Sequence, residues 1–148
     1  MVKKSAGANT GSVMPMYAIN KLVCKRRARH TKSGHTYTDP QTKADMEYVA
    51  WAYKGPKYAK GVPLRLTVIA YRQIPKSRPK RFTSEPFTVK PDIDNIVKCV
   101  MDGLNGIAWA DDSQVVEISA YKLDRERGGG EWVKFSVELI GRAKDESD

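Results

Sequence analysis

The sequence predicts a small mixed α/β domain with a mixed sheet and two main helices. Residues 63–71 alternate apolar and polar side chains, which is typical of a half-buried strand. Apolar residues after Asp94 recur three and four apart, which is typical of a helix with one buried face. Because strand patterns flank helical patterns within 148 residues, we expect one domain and one core.

The first half of the chain contains four predicted elements. A short strand is expected at residues 17–22, followed by an exposed basic loop or hairpin arm that turns around Ser33 and Gly34. A packing helix is expected from Asp39-Pro40 through Tyr53, because Met46, Val49, Ala50 and Tyr53 have helical spacing. The alternating strand then buries Leu64, Leu66, Val68 and Ala70 on one side.

The second half begins with the stretch IPKSRPKRFTSEPF, residues 74–87, whose three prolines predict a loop without regular structure. Asp94 or Asn95 is the expected cap of the next helix, and Asn105-Gly106 is its expected stop. The apolar face of that helix consists of Ile96, Val97, Val100, Met101 and Leu104. Residues 115–123 and 131–140 are expected to form an antiparallel pair on either side of a triple-glycine loop.

The predicted domain covers residues 13–142, between a flexible segment at 1–12 and a flexible acidic tail at 143–148. No apolar run approaches the roughly 20 residues that a membrane helix needs. Residues 1–11 also lack the apolar stretch of a signal peptide, so we expect a cytoplasmic protein. Cys24 and Cys99 form no CxxC pair, which indicates two reduced thiols, with Cys99 buried.

The net charge of +9 favours a polyanionic partner such as nucleic acid or an acidic membrane surface. The charge is unevenly distributed, because residues 21–38 and 61–84 contain basic residues and no acid. Residues 92–117 reverse this balance with six acidic side chains and one basic residue, Lys98. Crowded carboxylates repel each other and oppose phosphate binding unless a divalent cation lies between them. The pattern therefore points to a metal-dependent nuclease.

Asp92 and Asp94 lie two residues apart at the predicted helix entrance, where both carboxylates can converge on one ion. Lys98 follows Asp94 by one helical turn, so its ammonium can reach the same place. Asp111 and Asp112 lie in a predicted turn that could fold back and supply a third carboxylate. Mg²⁺ is commonly held by one or two carboxylates together with waters and phosphate oxygens, and it activates water for in-line attack.

Purely structural roles would account for the same residues. Asp94 could act only as a helix cap, and Asp111 and Asp112 only as turn residues. Lys98 could pair with Asp94 and Asp102 in an exposed ladder that contributes a few tenths of a kcal/mol.

Residues 90–116, KPDIDNIVKCVMDGLNGIAWADDSQVV, resemble the RusA family of Holliday junction resolvases from bacteria and their prophages. The resemblance rests on an Asp-x-Asp-Asn opening, a lysine four residues after its second acid, an Asp-x-Leu-Asn helix end and an Asp-Asp-x-Gln turn. It implies an α/β homodimer with one site per subunit that makes paired symmetric nicks in four-way DNA junctions. It also implies Mg²⁺, which Mn²⁺ can replace, and no small-molecule cofactor.

By motif position, the resemblance implies that Asp92, Asp94 and Asp112 are metal ligands and that Lys98 is the catalytic lysine. Asp111 and Asn95 are expected to lie next to the metal ligands without binding the metal themselves. Phosphate contacts are expected from basic loops, and a solvated surface role is the alternative for each residue. The candidates for DNA contact are Arg26, Arg27, Arg29, Lys32, Lys76, Arg78, Lys80 and Arg81.

Two other functions fit the sequence: a non-catalytic module that binds branched DNA, and a general metal-dependent nuclease acting on single strands or RNA. The second would be supported by exposed aromatic rings, on which unpaired bases stack. No exposed stacking ring is expected, because Trp109, Trp132 and the tyrosines fit core or strand positions. Phe82 or Phe87 could wedge into a junction, although a buried ring is the favoured interpretation. The preferred branched substrate and any preference for base sequence stay open.

Overall fold

A computed structural model of the chain describes residues 15–85, 88–123, 125–126 and 128–141. The predicted flexible segment at 1–12, the predicted tail at 143–148 and Phe87 lie outside these residues. No helix in the described ranges is both long and apolar enough to cross a membrane.

The described residues form two α-helices, α1 (Pro40–Ala52) and α2 (Ile93–Leu104), and a short 3₁₀ turn (Asp112–Gln114). Their strands are β1 (Tyr17–Ile19), β2 (Arg29–His30), β3 (Thr36–Tyr37), β4 (Leu64–Tyr71), β5 (Ser84–Glu85), β6 (Val115–Lys122), β7 (Arg125–Glu126) and β8 (Trp132–Leu139).

The main sheet has four strands in the order β1-β8-β4-β6. Strand β8 is antiparallel to both β1 and β4, whereas β6 is parallel to β4, so the predicted mixed sheet is confirmed. The predicted pairing of residues 115–123 with 131–140 is wrong, because β4 lies between β6 and β8. Helix α2 connects β4 to β6, and a helical connection of this kind returns the chain to the same end of the sheet and makes the two strands parallel.

The core lies on one face of the sheet, where Leu64, Leu66, Val68 and Ala70 are buried as predicted. Both helices pack against this face through buried residues that include Val49 and, in α2, Ile96, Val100 and Leu104. The opposite side of β4 carries the half-buried residues Arg65, Thr67, Ile69 and Tyr71. No helix of the described residues covers this second face.

Helix α2 begins earlier than predicted. Its cap is Asp92, with an extended backbone (φ −70°, ψ 149°), so the expectation of a cap at Asp94 or Asn95 is wrong. The helix starts at Ile93 because Asp92 is the last residue with extended dihedrals, and Asp94 therefore lies in the first turn. The predicted end is confirmed by the cap at Asn105 and by the positive φ of 81° at Gly106.

The basic arm folds as a small exposed hairpin of β2 and β3, with Gly34 at a φ of 91° as the turn predicts. The described part of the proline-rich loop, residues 74–85, is irregular as predicted except at residues 84–85, where β5 pairs with β7. Both cysteines are free thiols, and Cys99 is buried as expected.

Candidate active site

Asp92 and Asp94 lie together at the entrance of α2. Asp92 occupies the cap position, but its side chain makes no capping hydrogen bond. The two carboxylates are exposed, with side-chain accessibilities of 53% and 65%. Because both side chains are exposed, each can bind a ligand from solvent. Asp94 also lies in the first turn of α2, where the helix dipole favours negative charge.

Two lysines flank this acidic pair. The Lys98 ammonium lies 3.8 Å from Asp94 Oδ2, one turn further along α2 as the spacing predicts. The Lys90 ammonium lies 3.0 Å from Asp92 Oδ2. Surface ion pairs of this kind contribute little to stability, so the lysines can exchange these carboxylates for a phosphate at small cost.

The turn at residues 111–114 is built by side-chain hydrogen bonds. Asp111 caps the 3₁₀ turn and accepts from the Ser113 amide at 3.0 Å, while the Asp111 amide donates to Gln114 Oε1 at 3.1 Å. The hydroxyl and amide of Ser113 stabilise the ionised form of Asp111 and lower its pKa. Asp111 therefore has the structural capping role that the sequence left open.

Asp112 is oriented by the core. The buried Trp109 indole N–H donates to Asp112 Oδ1 at 2.7 Å, which fixes the direction of a half-buried carboxylate. Gln114 holds the turn against the preceding loop, because its amide donates to the carbonyls of Ala59 at 2.9 Å and Val62 at 3.1 Å. The positioning role of Trp109 was missed in the sequence, although its three-residue spacing from Asp112 was visible.

The two parts of the predicted site lie at opposite ends of α2. Before the helix, the Val89 carbonyl accepts from the Lys122 ammonium at 2.9 Å, at the carboxyl end of β6. After the helix, the 3₁₀ turn that begins at Asp112 directly precedes the amino end of β6. The 12 residues of α2 span about 17 Å at the usual helical rise. Within one chain, Asp112 therefore does not fold back to the entrance of α2.

The described residues contain no group of three His, Cys, Asp or Glu side chains that could hold a metal ion. The Asp92–Asp94 pair by itself has the chemistry of a magnesium site, because Mg²⁺ takes oxygen ligands and usually needs only one or two protein carboxylates. Those two side chains fit such an ion, and a further carboxylate would have to come from elsewhere.

Comparison with known proteins supports the family resemblance that was inferred from the residues around α2. The sequence model of the family described as Endodeoxyribonuclease RusA matches residues 21–134. The chain belongs to this family. A curated relative, the uncharacterized protein YqaN of Bacillus subtilis (strain 168), is 40% identical over 72 residues, which make up 43% of this chain and 51% of that protein. The chain thus spans about half the length of this relative.

The family match includes the basic segment after β1, residues 21–38. Ion pairs and a hydrogen bond attach this segment to a buried carboxylate of α1. Asp45 of α1 is fully buried and pairs with the Lys21 ammonium and with the Arg26 guanidinium at 3.1 Å. Its Oδ2 also accepts from the Cys24 amide at 3.2 Å. Arg29 donates to Asp39 at 2.6 Å, which lowers the pKa of that carboxyl. Arg26 and Arg29 therefore both have a structural partner.

The remaining candidates for DNA contact in this family member are exposed on loops. They are Arg27 and Lys32 near the hairpin and Lys76, Arg78, Lys80 and Arg81 in the proline-rich loop. Arg81 lies over the Phe82 ring, 4.9 Å from its centroid. Phe82 is only half-buried and does not belong to the hydrophobic core, so the expectation of a buried ring is wrong for this residue.

Trp132 lies on a strand as expected, but its side chain is exposed. Trp109 is fully buried as predicted, but Trp132 is 37% exposed at the start of β8. A strand position was correctly expected for Trp132, but strand periodicity does not reveal whether the face it occupies is covered.

Proposed function

We propose that this chain is a metal-dependent endonuclease that makes paired, symmetric nicks in four-way DNA junctions during recombination and repair. Membership of the RusA endodeoxyribonuclease family supports nuclease chemistry. The observation that carries the proposal is the exposed Asp92–Asp94 pair with Lys98 beside it, in a chain of net charge +9. Such DNA would be encountered in the cytoplasm of a bacterial or phage-infected cell.

In this proposal Asp92 and Asp94 hold Mg²⁺, or Mn²⁺ in its place. The ion would activate the attacking water and neutralise charge on the phosphate. Lys98 stabilises the charge that develops on the phosphate, because it is a cation held on the same helix as Asp94. The basic loops attract and orient the DNA through phosphate contacts, which weaken as salt increases.

The separation of Asp112 from the helix entrance supports a homodimer in which each site is shared between two chains. Among the described residues, strand β6 lies at the edge of the sheet and pairs only with β4, so its other side can pair with a second copy. It also exposes an unusual number of apolar side chains on and just beyond the strand, namely Val116, Ile118, Tyr121 and Leu123.

Antiparallel alignment of two β6 edges across a two-fold axis would bring Asp112 of one chain close to Asp92 and Asp94 of the other. Asp112 stands at the amino end of β6, and the segment leading to Asp92 is attached to Lys122 at the carboxyl end. In an antiparallel pair the amino end of one strand meets the carboxyl end of the other. Each dimer would then have two sites, with Asp92 and Asp94 from one chain and Asp112 from its partner.

Mixing two inactive variants tests this arrangement. Asp94→Asn and Asp112→Asn homodimers should both fail to cut, because every site lacks one acid. After subunit exchange, half of the dimers are mixed and each has one intact site, so nicking should return to about a quarter of the wild-type level. Nicked junctions should carry a single cut. If the mixture stays inactive although mixed dimers are recovered by successive purification on a different affinity tag for each variant, each site lies within one chain.

Replacing Lys98 tests the assignment of the catalytic cation. We expect Lys98→Ala to slow cleavage by about 100-fold or more, similar to the loss of one transition-state donor in other enzymes. Junction affinity should change little, because many other cations remain. Lys43→Ala removes an exposed lysine of α1 as a control and should leave cleavage unchanged. Equal losses of affinity and cleavage in Lys98→Ala would instead indicate a simple phosphate contact.

The whole proposal is tested by incubating the protein with a labelled four-way junction and a matching linear duplex, each with Mg²⁺, Mn²⁺ or EDTA. Paired metal-dependent nicks in the junction alone are expected. Binding without cleavage under every metal would identify a branched-DNA-binding module. Equal degradation of all substrates would identify a general nuclease.

A further inference from the structure

A cavity lies on the sheet face that no described helix covers, at the carboxyl end of β4. Its volume is about 440 Å³, and its lining includes Tyr71, Arg72, Trp132 and Lys134. Tyr71 and Trp132 are register partners in the β4–β8 pair, and Lys134 is next to them on the same face. The volume falls within the range of pockets that bind small organic ligands.

The aromatic wall of this cavity is held rigidly. The Trp132 indole N–H donates to the Gly129 carbonyl at 2.9 Å, which fixes the ring plane while leaving the ring 37% exposed. Gly130, with a φ of 74°, brings the loop close to the indole, and its amide donates to Gln73 Oε1 at 3.2 Å. A preorganised aromatic ring binds a flat partner without losing side-chain entropy.

The charged wall favours an anion beside that flat group. The Lys134 ammonium lies 5.4 Å from the centroid of the Tyr71 ring. Arg72 also lines the cavity, although it pairs with Glu131 at 3.4 Å, so we assign phosphate contact to Lys134. A stacking ring next to a cation has the composition of sites that bind the base and phosphate of unpaired nucleotides.

Arg72 connects this cavity with the helix-entrance acids. Its guanidinium donates to the carbonyl of Lys90, whose ammonium in turn contacts Asp92. The cavity and the Asp92–Asp94 pair therefore share one rim of the domain. A DNA strand lying with a phosphate at these acids would have a nearby base within reach of Trp132.

We propose that this cavity binds a nucleotide that is unstacked from the branch point, close to the strand that is cut. Its base stacks on Trp132, and Lys134 contacts its phosphate. This inference rests on the proposed function and adds a reason for selecting branched DNA. Continuous duplex has no unstacked base to offer, so the cavity favours branch points and DNA with unpaired residues.

The test measures binding without cleavage, in metal-free buffer and in the Asp94→Asn background. The probes are a four-way junction with 2-aminopurine at the branch point, a single-stranded oligothymidine and a fully paired duplex. We expect Trp132→Ala to weaken binding of the junction and the single strand by about 5- to 150-fold, because the unstacked base loses the aromatic ring on which it stacks. Duplex affinity should not change. The 2-aminopurine signal should be quenched by the wild-type ring and not by the variant.

Two further variants separate stacking from folding. Trp132→Phe keeps a ring and should retain most of the affinity, whereas Trp51→Ala removes a tryptophan that is 66% exposed on α1 and should have no effect. Lys134→Gln should lower the affinity for the single-stranded probe and leave the affinity for duplex unchanged. If Trp132→Ala unfolds at the wild-type temperature yet binds all three probes as wild type does, the inference is overturned.

The outcomes also distinguish this inference from the proposed function. A protein that cuts no junction but loses single-strand affinity in Trp132→Ala would retain the cavity assignment and lose the resolvase assignment. A protein that cuts junctions normally but binds every probe as tightly after Trp132→Ala as before would retain the resolvase assignment and lose the cavity assignment.

Discussion

Replacement of Asp94 by asparagine should abolish cleavage while junction binding survives. The substitution keeps the shape of the side chain and its place in the first turn of α2, but removes the charge that a divalent cation requires. Losing several kcal/mol of transition-state stabilisation corresponds to a fall of about 1000-fold or more in the cleavage rate. The measurement is the initial rate of nicking on a labelled junction at saturating Mg²⁺.

Binding provides the second readout for Asp94→Asn. In metal-free buffer the affinity should equal or exceed that of the wild type, because a carboxylate that holds no metal ion repels phosphate. Asp102→Asn is the matched control, since Asp102 lies on the same helix but pairs with Lys25 at 3.0 Å instead of facing the acid pair. Cleavage retained by Asp94→Asn would remove this residue from the catalytic set.

Asp45→Ala should produce the largest loss of stability among the charged residues discussed. It removes a fully buried carboxylate that pairs with Lys21 and Arg26 and accepts the Cys24 amide. Breaking a buried pair from one side typically costs 3–5 kcal/mol, and we expect about 3 kcal/mol because both cations are partly exposed and can turn to solvent. For a domain of this size that corresponds to a fall in Tm of about 6–12 °C.

The control for Asp45→Ala is Asp102→Ala, which also removes a helical aspartate paired with a lysine of the segment after β1. Its carboxylate is 31% exposed and its partner Lys25 is 45% exposed, so the change in unfolding free energy should stay below about 1 kcal/mol. Thermal unfolding followed by circular dichroism compares the two variants. Equal small losses would mean that the basic segment is held by its other contacts, such as the Arg26 amide to Thr42 Oγ1 hydrogen bond at 2.8 Å.

Local pattern was sufficient for several elements. The alternation of β4 and the amphipathic face of α2 follow from strand and helix periodicities, which depend only on neighbouring residues. The turn at Gly34 and the helix stop at Gly106 follow from the ease with which glycine adopts a positive φ. The same local spacing predicted the Asp94–Lys98 contact, because both residues lie on one helix.

Local sequence patterns could not predict which distant segments pair. The expectation that β6 and β8 pair failed because β4, more than 40 residues earlier in the chain, lies between them. Local spacing cannot tell a buried helical aspartate from an exposed one, so the role of Asp45 depends on where residues 21–26 pass over α1. The exposure of Trp132 likewise depends on which face of the sheet the helices leave uncovered.

Residue identity and short spacing were enough to predict the family, the acidic pair at the entrance of α2 and the basic character of the surrounding loops. The position of Asp112 could be found only from the folded chain, which places it at the opposite end of α2 from Asp92 and Asp94. A helical connection between parallel strands carries the chain along the length of the domain, so residues that bracket the helix are separated by its full axis.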